Sequence, residues 1–165
     1  MSVSLVKKHT DMLHEEVMSG FLIRRLHQIH QSLLSEEAEK LGVTPVQMGV
    51  LIAITRGPGQ DQSSIAEEIG ADRATLAAVL SRLEAVSLVR RVNSKQDQRQ
   101  KLLYLTPKGQ RLAKRLTAPI QRANERTLAP LTPEAQELFL KLLYTLIDGG
   151  NENARTKLRL PAFRG

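Results

Sequence analysis

The chain has 165 residues, a formal net charge of +7 and no cysteine, a size that suits one domain with its own core. Without cysteine there can be no disulfide, thiolate metal site or thiol redox sensor in this chain, and a reducing cytoplasm is the expected compartment. The amino terminus is polar and every apolar stretch is broken by charge well short of the roughly 20 residues needed to span a bilayer, so neither a signal peptide nor a membrane partner is expected. Charge placement says more than net charge. From Arg82 through Arg126, twelve Lys or Arg stand against three acids, Glu84, Asp97 and Glu125, a local balance of +9 that leaves −2 for everything else. Such a surplus suits a surface that displaces counterions from phosphates, although a solvated face on the helix expected at 107–128 accounts for part of it.

In chain order, residues 1–10 read as frayed. From 11 to about 39, Leu13, Val17, Phe21, Leu22, Leu26, Ile29, Leu33 and Leu34 recur at threes and fours, the period of an amphipathic helix. That face is larger than its neighbours can easily cover, which suggests a second subunit. Gly42 should end this helix. Three later helices are expected to begin at Thr44-Pro45, Thr106-Pro107 and Thr132-Pro133, because threonine caps free amides and proline at the first position lacks the amide that would go unpaired. The first stops before Gly57-Pro58-Gly59. Asp61 or Gln62 then opens a short helix through Ile69, Gly70 supplies a turn, and Asp72 caps a helix whose buried stripe is Leu76, Val79, Leu80 and Leu83. Residues 88–93 and 101–105 read as strands joined by the polar SKQDQRQ. A basic helix follows from 107 to about 127, with a kink expected at Pro119. The last helix spans 133–147, with Leu138, Leu142 and Leu146 on one side, and 149–165 reads as a flexible tail. The fold class is therefore mainly α with a small β-hairpin wing, a winged helix-turn-helix.

The helix from Asp72 has Arg73, Ala74 and Thr75 in its first turn. Arginine can bond guanine bidentately, and threonine offers a hydroxyl and a methyl to base edges in the major groove. Arg82 shares the outward face. An ordinary surface helix could carry the same residues, but the preceding helix, the glycine turn and the hairpin favour DNA. Ser63 and Ser64 open the preceding helix, where phosphate contact and simple capping are equally good readings. At the hairpin tip, Lys95, Gln98, Arg99 and Gln100 suit a neighbouring minor groove, against the alternative of a solvated loop. Asp97 would repel phosphate and is expected to hold the wing together by pairing with Arg99.

Together these residues carry a family resemblance. The run IAEEIGADRATLAAVLSRLEAVSLVRR, the Asp97-Gln98-Arg99 wing and LYLTPKG at 103–109 resemble the MarR family of bacterial transcription regulators, over residues 20–147. The resemblance implies a homodimer, joined through its amino- and carboxy-terminal helices (11–40 and 107–147), that presents the winged part (45–105) to a palindromic operator in double-stranded DNA. It also places Arg73 and Thr75 in the recognition helix and matches Asp97 and Arg99 to the wing pair. Ser87 stands where the family commonly has glycine, which should strain that turn. Gln98 replaces a common second arginine, leaving minor-groove contact to Arg99 with Lys95.

The segment GFLIRRLHQIHQ at 20–31 sets Arg25 on or beside an apolar face, where an unpaired buried cation would be costly. A structural carboxylate partner is one solution. The other is an anion site in which Arg25 holds the carboxylate of a small apolar ligand, assisted by Arg24, His27 or His30, with Leu22 and Met48 among the apolar walls. The LIRR-x-HQ pattern resembles MarR members that sense aromatic carboxylates. His27 and His30 have no evident third ligand nearby, so no metal is expected. No phosphate loop, nucleophile motif or metalloprotease signature is present, and neither a cofactor nor an enzyme is expected. The expected function is a repressor released from DNA by a small aromatic acid; the alternative is a ligand-independent winged-helix module that binds DNA or protein.

Overall fold

The computed structural model describes residues 15–154. The elements in order are α1 (Glu15–Glu39), α2 (Pro45–Arg56), α3 (Gln62–Ile69), α4 (Arg73–Ala85), β1 (Val89–Asn93), β2 (Lys101–Leu105), α5 (Pro107–Leu128) and α6 (Pro133–Gly150), followed by a 3-10 turn over Asn151–Asn153. The frayed start expected at 1–10 lies outside the described residues, as does 155–165. Residues 149 and 150, expected to begin the tail, instead remain in α6, and the amide of Asn151 continues the bonding by donating to Asp148 O.

The helix starts follow from their caps. Thr44 Oγ1 accepts the Gln47 amide at 3.3 Å while Gln47 Oε1 accepts the Thr44 amide at 2.8 Å, a reciprocal box that satisfies two free donors. Thr106 Oγ1 accepts from the Gly109 amide at 3.1 Å, and Thr132 Oγ1 from the Ala135 amide at 3.3 Å. Asp61 and Asp72 cap α3 and α4 through the amides of Ser64 (2.8 Å) and Thr75 (2.9 Å). Each cap is worth about 1 kcal/mol. α5 runs unbroken through Pro119, which is buried.

The core lies where α2, α3, α4, the hairpin and α5 converge. Leu51, Ile54, Ile65, Leu76, Leu80, Leu83, Leu103 and Leu116 are all fully buried there, each contributing about 1.5–3 kcal/mol of apolar burial. β1 and β2 pair antiparallel, with Val89 opposite Leu105 and Asn93 opposite Lys101. The stretch before α3 adds a short third edge: Gly59 N donates to Leu103 O and Leu103 N to Gln60 O, both at 2.9 Å, and Asp61 bridges to Leu102. This edge fixes the hairpin against the start of α3.

The α4-to-wing turn bears out the expected strain. Ser87 sits at φ 58°, the left-handed region, where a side chain costs about 1–2 kcal/mol. The turn still closes with both bonds of a Schellman motif: Ser87 N to Glu84 O and Leu88 N to Leu83 O, each 2.8 Å. Thr106 Oγ1 adds a 2.6 Å bond to Ser87 O. One turn into α5, a Cβ on Gly109 would stand 2.0 Å from Leu88 O, so only glycine lets the helix approach the hairpin this closely.

α1 packs along α5 and is joined to it by a carboxylate. Glu37, 3% exposed, accepts from Lys40 Nζ at 2.7 Å and from Arg122 at 2.6 and 3.0 Å. The adjacent Glu36 pairs with Arg126, one turn beyond Arg122 on α5, at 2.7 Å. The Lys40 ammonium, and then the Arg122 guanidinium, hold the Glu37 carboxyl below the ordinary range.

α6 differs from the other helices in that none of its residues is buried. Leu138, Leu140, Leu142, Leu146 and Ile147 are exposed, as are Phe21, Leu22, Ile23 and Ile29 of α1. No helix among the described residues is long and apolar enough to cross a membrane.

Two outcomes test this packing. Ser87→Gly should raise the unfolding free energy by about 0.5–1 kcal/mol, the relieved left-handed strain less the added chain entropy, read as a higher urea midpoint at unchanged slope; an unmoved midpoint would mean the turn carries no strain. Because the folded Glu37 pKa is depressed, its stabilisation is complete above the unfolded value of about 4.3 and is lost as pH falls through the lower folded value. The stability gap between the wild type and Glu37→Gln should therefore be full at pH 6–7 and close below about pH 4. A gap that is constant across this range would contradict the clamp.

Candidate functional site

α3 and α4 are set by two aspartate caps and a left-handed glycine between them, Gly70 at φ 66°. Gln62 Nε2 reaches from the start of α3 to Arg73 O at 3.3 Å, drawing the two helix starts together. The inward stripe of Leu76, Val79, Leu80 and Leu83 is buried, which leaves Arg73, Ala74, Thr75, Ala78 and Arg82 exposed on the opposite face. The Thr75 hydroxyl donates to Asp72 Oδ2 at 2.6 Å, so toward a ligand it presents its methyl and an oxygen lone pair. Ser63 and Ser64 are half-buried at the start of α3, and the Ser64 amide is already used by the Asp61 cap.

The wing tip is held by short polar bonds. Ser94, 6% exposed, accepts from the amides of Gln96 and Asp97 at 3.2 and 3.4 Å. Asp97 does hold the wing, but through the backbone: its Oδ1 accepts the Arg99 amide at 2.9 Å, rather than the guanidinium. The Arg99 head is thereby left available to a phosphate or groove. Lys95, Gln98 and Arg99 are all exposed. At the wing's base, Arg91 pairs with Glu84 of α4 at 3.3 Å, and the Arg90 guanidinium lies 4.8 Å from the Tyr104 ring centroid. Among the described residues, no carboxylate forms an ion pair with Arg73, Arg82, Lys95 or Arg99. These four unpaired cations, two on α4 and two at the wing tip, are therefore available to an anionic backbone.

A cavity of about 640 Å³ lies between α1, α5 and α6, walled by Leu22, Leu26, His27, His30, Thr127 and Phe139 among others. His30 Nδ1 lies 2.9 Å from Thr127 Oγ1. Since the Thr127 hydroxyl donates its one proton to Ala123 O at 2.8 Å, Nδ1 must be the donor in the His30 pair. Burial, and secondly the proximity of His27, push the His30 pKa down. The neutral ring then keeps Nε2 as an acceptor.

The residues expected around a bound acid are thus only partly brought together. Leu22, His27 and His30 line the cavity; Arg24 and Arg25 are exposed on α1 and do not. Arg25 reaches only Gln28 Oε1, at 3.4 Å, and no carboxylate of the described residues pairs with it. Met48 does not line this cavity either: at 1% exposed it is part of the hydrophobic core. The His pair acquires no further ligand, as no group of three or more His, Cys, Asp or Glu fit for a metal occurs among the described residues. Sequence reasoning missed a second cleft, of about 420 Å³ between α2 and α5, lined by Thr55, Arg56, Thr117, Gln121 and Asn124 with two isoleucines. Its polar residues are scattered across two helices and have no motif spacing.

Residues 41–100 match the MarR family model. The chain is 32% identical over 126 residues to the transcriptional regulator HosA of Escherichia coli, covering 76% of this chain and 92% of HosA. It is similar to the PcaV transcriptional regulator of Streptomyces coelicolor, solved in complex with its natural ligand, at 37% identity and a TM-score of 0.75 over 84% of this chain and 97% of that one. It also resembles the transcriptional repressor Rv2887 of Mycobacterium tuberculosis, 28% identical over 81% of this chain and 96% of that protein. The structure of Rv2887 with p-aminosalicylic acid aligns at a TM-score of 0.64 over 78% of this chain and 97% of that one. With this fold, this wing and these relatives, the chain belongs to the MarR family of winged helix-turn-helix transcriptional regulators.

Proposed function

We propose that this protein is a homodimeric repressor that holds a palindromic operator through α4 and the wing and releases it on binding a small aromatic carboxylate. The observation that carries the DNA half is the exposed set Arg73, Thr75, Arg82, Lys95, Gln98 and Arg99 on one helix and one wing tip, its cations free of acidic partners among the described residues. In this reading Arg73 and Thr75 contact base edges, Arg99 and Lys95 enter or flank the minor groove, and Ser63 and Ser64 face phosphate with their hydroxyls. The uncovered apolar faces of α1 and α6 support pairing of two chains, and a two-fold dimer matches a palindrome.

The effector half rests on the cavity beside His30. It is mostly apolar with a polar corner at His27, His30 and Thr127, which suits a flat aromatic body with one or two polar substituents. Two similar regulators were solved with a natural ligand and with p-aminosalicylic acid. Arg24 and Arg25 stand outside the single-chain cavity, so their proposed hold on the carboxylate depends on the assembled dimer. Release requires the ligand to bind the DNA-incompetent arrangement of the two wings better than the competent one.

Gel shifts on the protein's own upstream region, with and without benzoates, hydroxybenzoates and cinnamates, test both halves. Arg73→Ala should cut preference for operator over random duplex by about 10- to 100-fold, the worth of one bidentate contact. Arg99→Ala should weaken binding to all sequences and lower the salt slope by about one. If Arg73→Ala leaves the preference unchanged, α4 is not the reading helix. For the effector, Arg25→Ala and His30→Leu should each abolish the ligand response while sparing the shift; a normal response in His30→Leu would place the ligand elsewhere.

A further inference from the structure

The wing tip is fastened to the start of the helix-turn-helix by a long-range contact. Gln100 Nε2 donates to Asp61 Oδ2 at 2.7 Å across 39 positions of sequence. The other oxygen of the same carboxylate, Oδ1, accepts the Ser64 amide at 2.8 Å. One side chain therefore caps α3 and grips the wing, while the residue's backbone bridges to Leu102. The Ser64 amide, and next the Gln100 side chain, hold the Asp61 carboxyl below the ordinary range against the opposing pull of desolvation. The acceptor is ionised at neutral pH, which puts this bond in the stronger, charge-assisted class.

A two-stranded ribbon is marginal by itself, so the angle of this wing is set by what ties it down. Its base is tied by Arg91 to Glu84 of α4, and β2 is tied as far as Leu102 by the backbone edge at Gly59, Gln60 and Asp61. Beyond that, the tip residues bond mainly to each other, through Ser94, Asp97 and the pairing of Ser94 N with Gln100 O. Gln100 is the tip residue that reaches out of the wing to α3.

We propose that Asp61 and Gln100 form a latch that fixes the wing tip, beyond the backbone edge, relative to the start of α3, making both of them positioning residues for DNA engagement. The proposal rests on the DNA-binding reading above. With the latch closed, Arg99 is presented at a set offset from Arg73 before DNA arrives, and less ordering is left to be done on binding. With it open, the tip must be ordered by the DNA itself.

The test is a double-mutant cycle in the full chain. Asp61→Ser keeps an oxygen to cap α3 but is too short to meet Gln100; Gln100→Ala removes the donor. Each should weaken binding to a duplex of the footprinted upstream region by about five- to tenfold, and the double variant should lose no more than either single, as coupled partners do. The thermal midpoint of Gln100→Ala should fall by only a few degrees, the loss of about one bond, so the chain stays folded in the binding assay. Backbone 15N order parameters at 95–100, measured without DNA, should fall in both single variants and recover in Gln100→Lys, which keeps a donor for Asp61. Losses that multiply in the double variant, or order parameters unchanged in Gln100→Ala, would overturn the latch. Failure of the DNA-binding reading itself would show separately, as no specific shift by the wild type.

Discussion

Helix α6 buries none of its residues against its own chain, and much of what this protein does depends on how that face is covered. An 18-residue helix is marginally stable in water without tertiary packing. The exposed Leu138, Leu142 and Ile147 of α6 and the exposed Phe21 and Ile29 of α1, which do not wall the cavity, offer the apolar surface that such packing needs. In the proposed dimer a second copy covers it, and the two winged units then hang from one shared helical body. The separation of the two α4 helices becomes a property of that body, and with it the spacing of DNA half-sites.

α5 is the member that joins α1 to the hairpin. Near its start, Gly109 lies against Leu88 at the root of the wing. Further along, Arg122 clasps the buried Glu37 of α1, and Thr127 meets His30 at the wall of the large cavity. A molecule in that cavity would press on α1, α5 and α6 together, whereas the root of the wing meets the opposite end of α5, at Gly109. The displacement needed is small, since packed helices shift as units, and a differential affinity of about 1–3 kcal/mol between two arrangements is enough for regulation. His30 suits this position: kept neutral by burial and with Nδ1 committed to Thr127, it offers the cavity an acceptor without the cost of a buried charge.

The parts legible in the sequence were those set by local chemistry. The Thr-Pro and Asp caps, Gly42 and Gly70, and the buried stripe of α4 are written in spacings of one to four residues, and all stand in the fold. The strain at Ser87 was visible only through the family resemblance, which puts glycine at this turn. The misplacements have a common origin in faces that spacing does not define. α2 is apolar almost all round, so periodicity could not tell that Met48 belongs to the core instead of a ligand wall. On α1 both arginines flank the apolar stripe, and a rotation of a few tens of degrees decides whether either enters the cavity. The Gln100–Asp61 bond and the backbone edge at Gly59 and Gln60 arise from tertiary approach between segments about 40 positions apart, and no local pattern marks them. Asp97 was correctly expected to hold the wing, but it does so through an amide that every residue carries, which explains why the side-chain partner was misassigned.

Native mass spectrometry of the full chain with a duplex from its own upstream region addresses the central claim in one measurement. The account predicts a complex holding two chains of 18.4 kDa each per duplex, displaced by a scrambled duplex only at large excess. A complex with one chain per duplex, or one that a scrambled duplex displaces equally well, would contradict it.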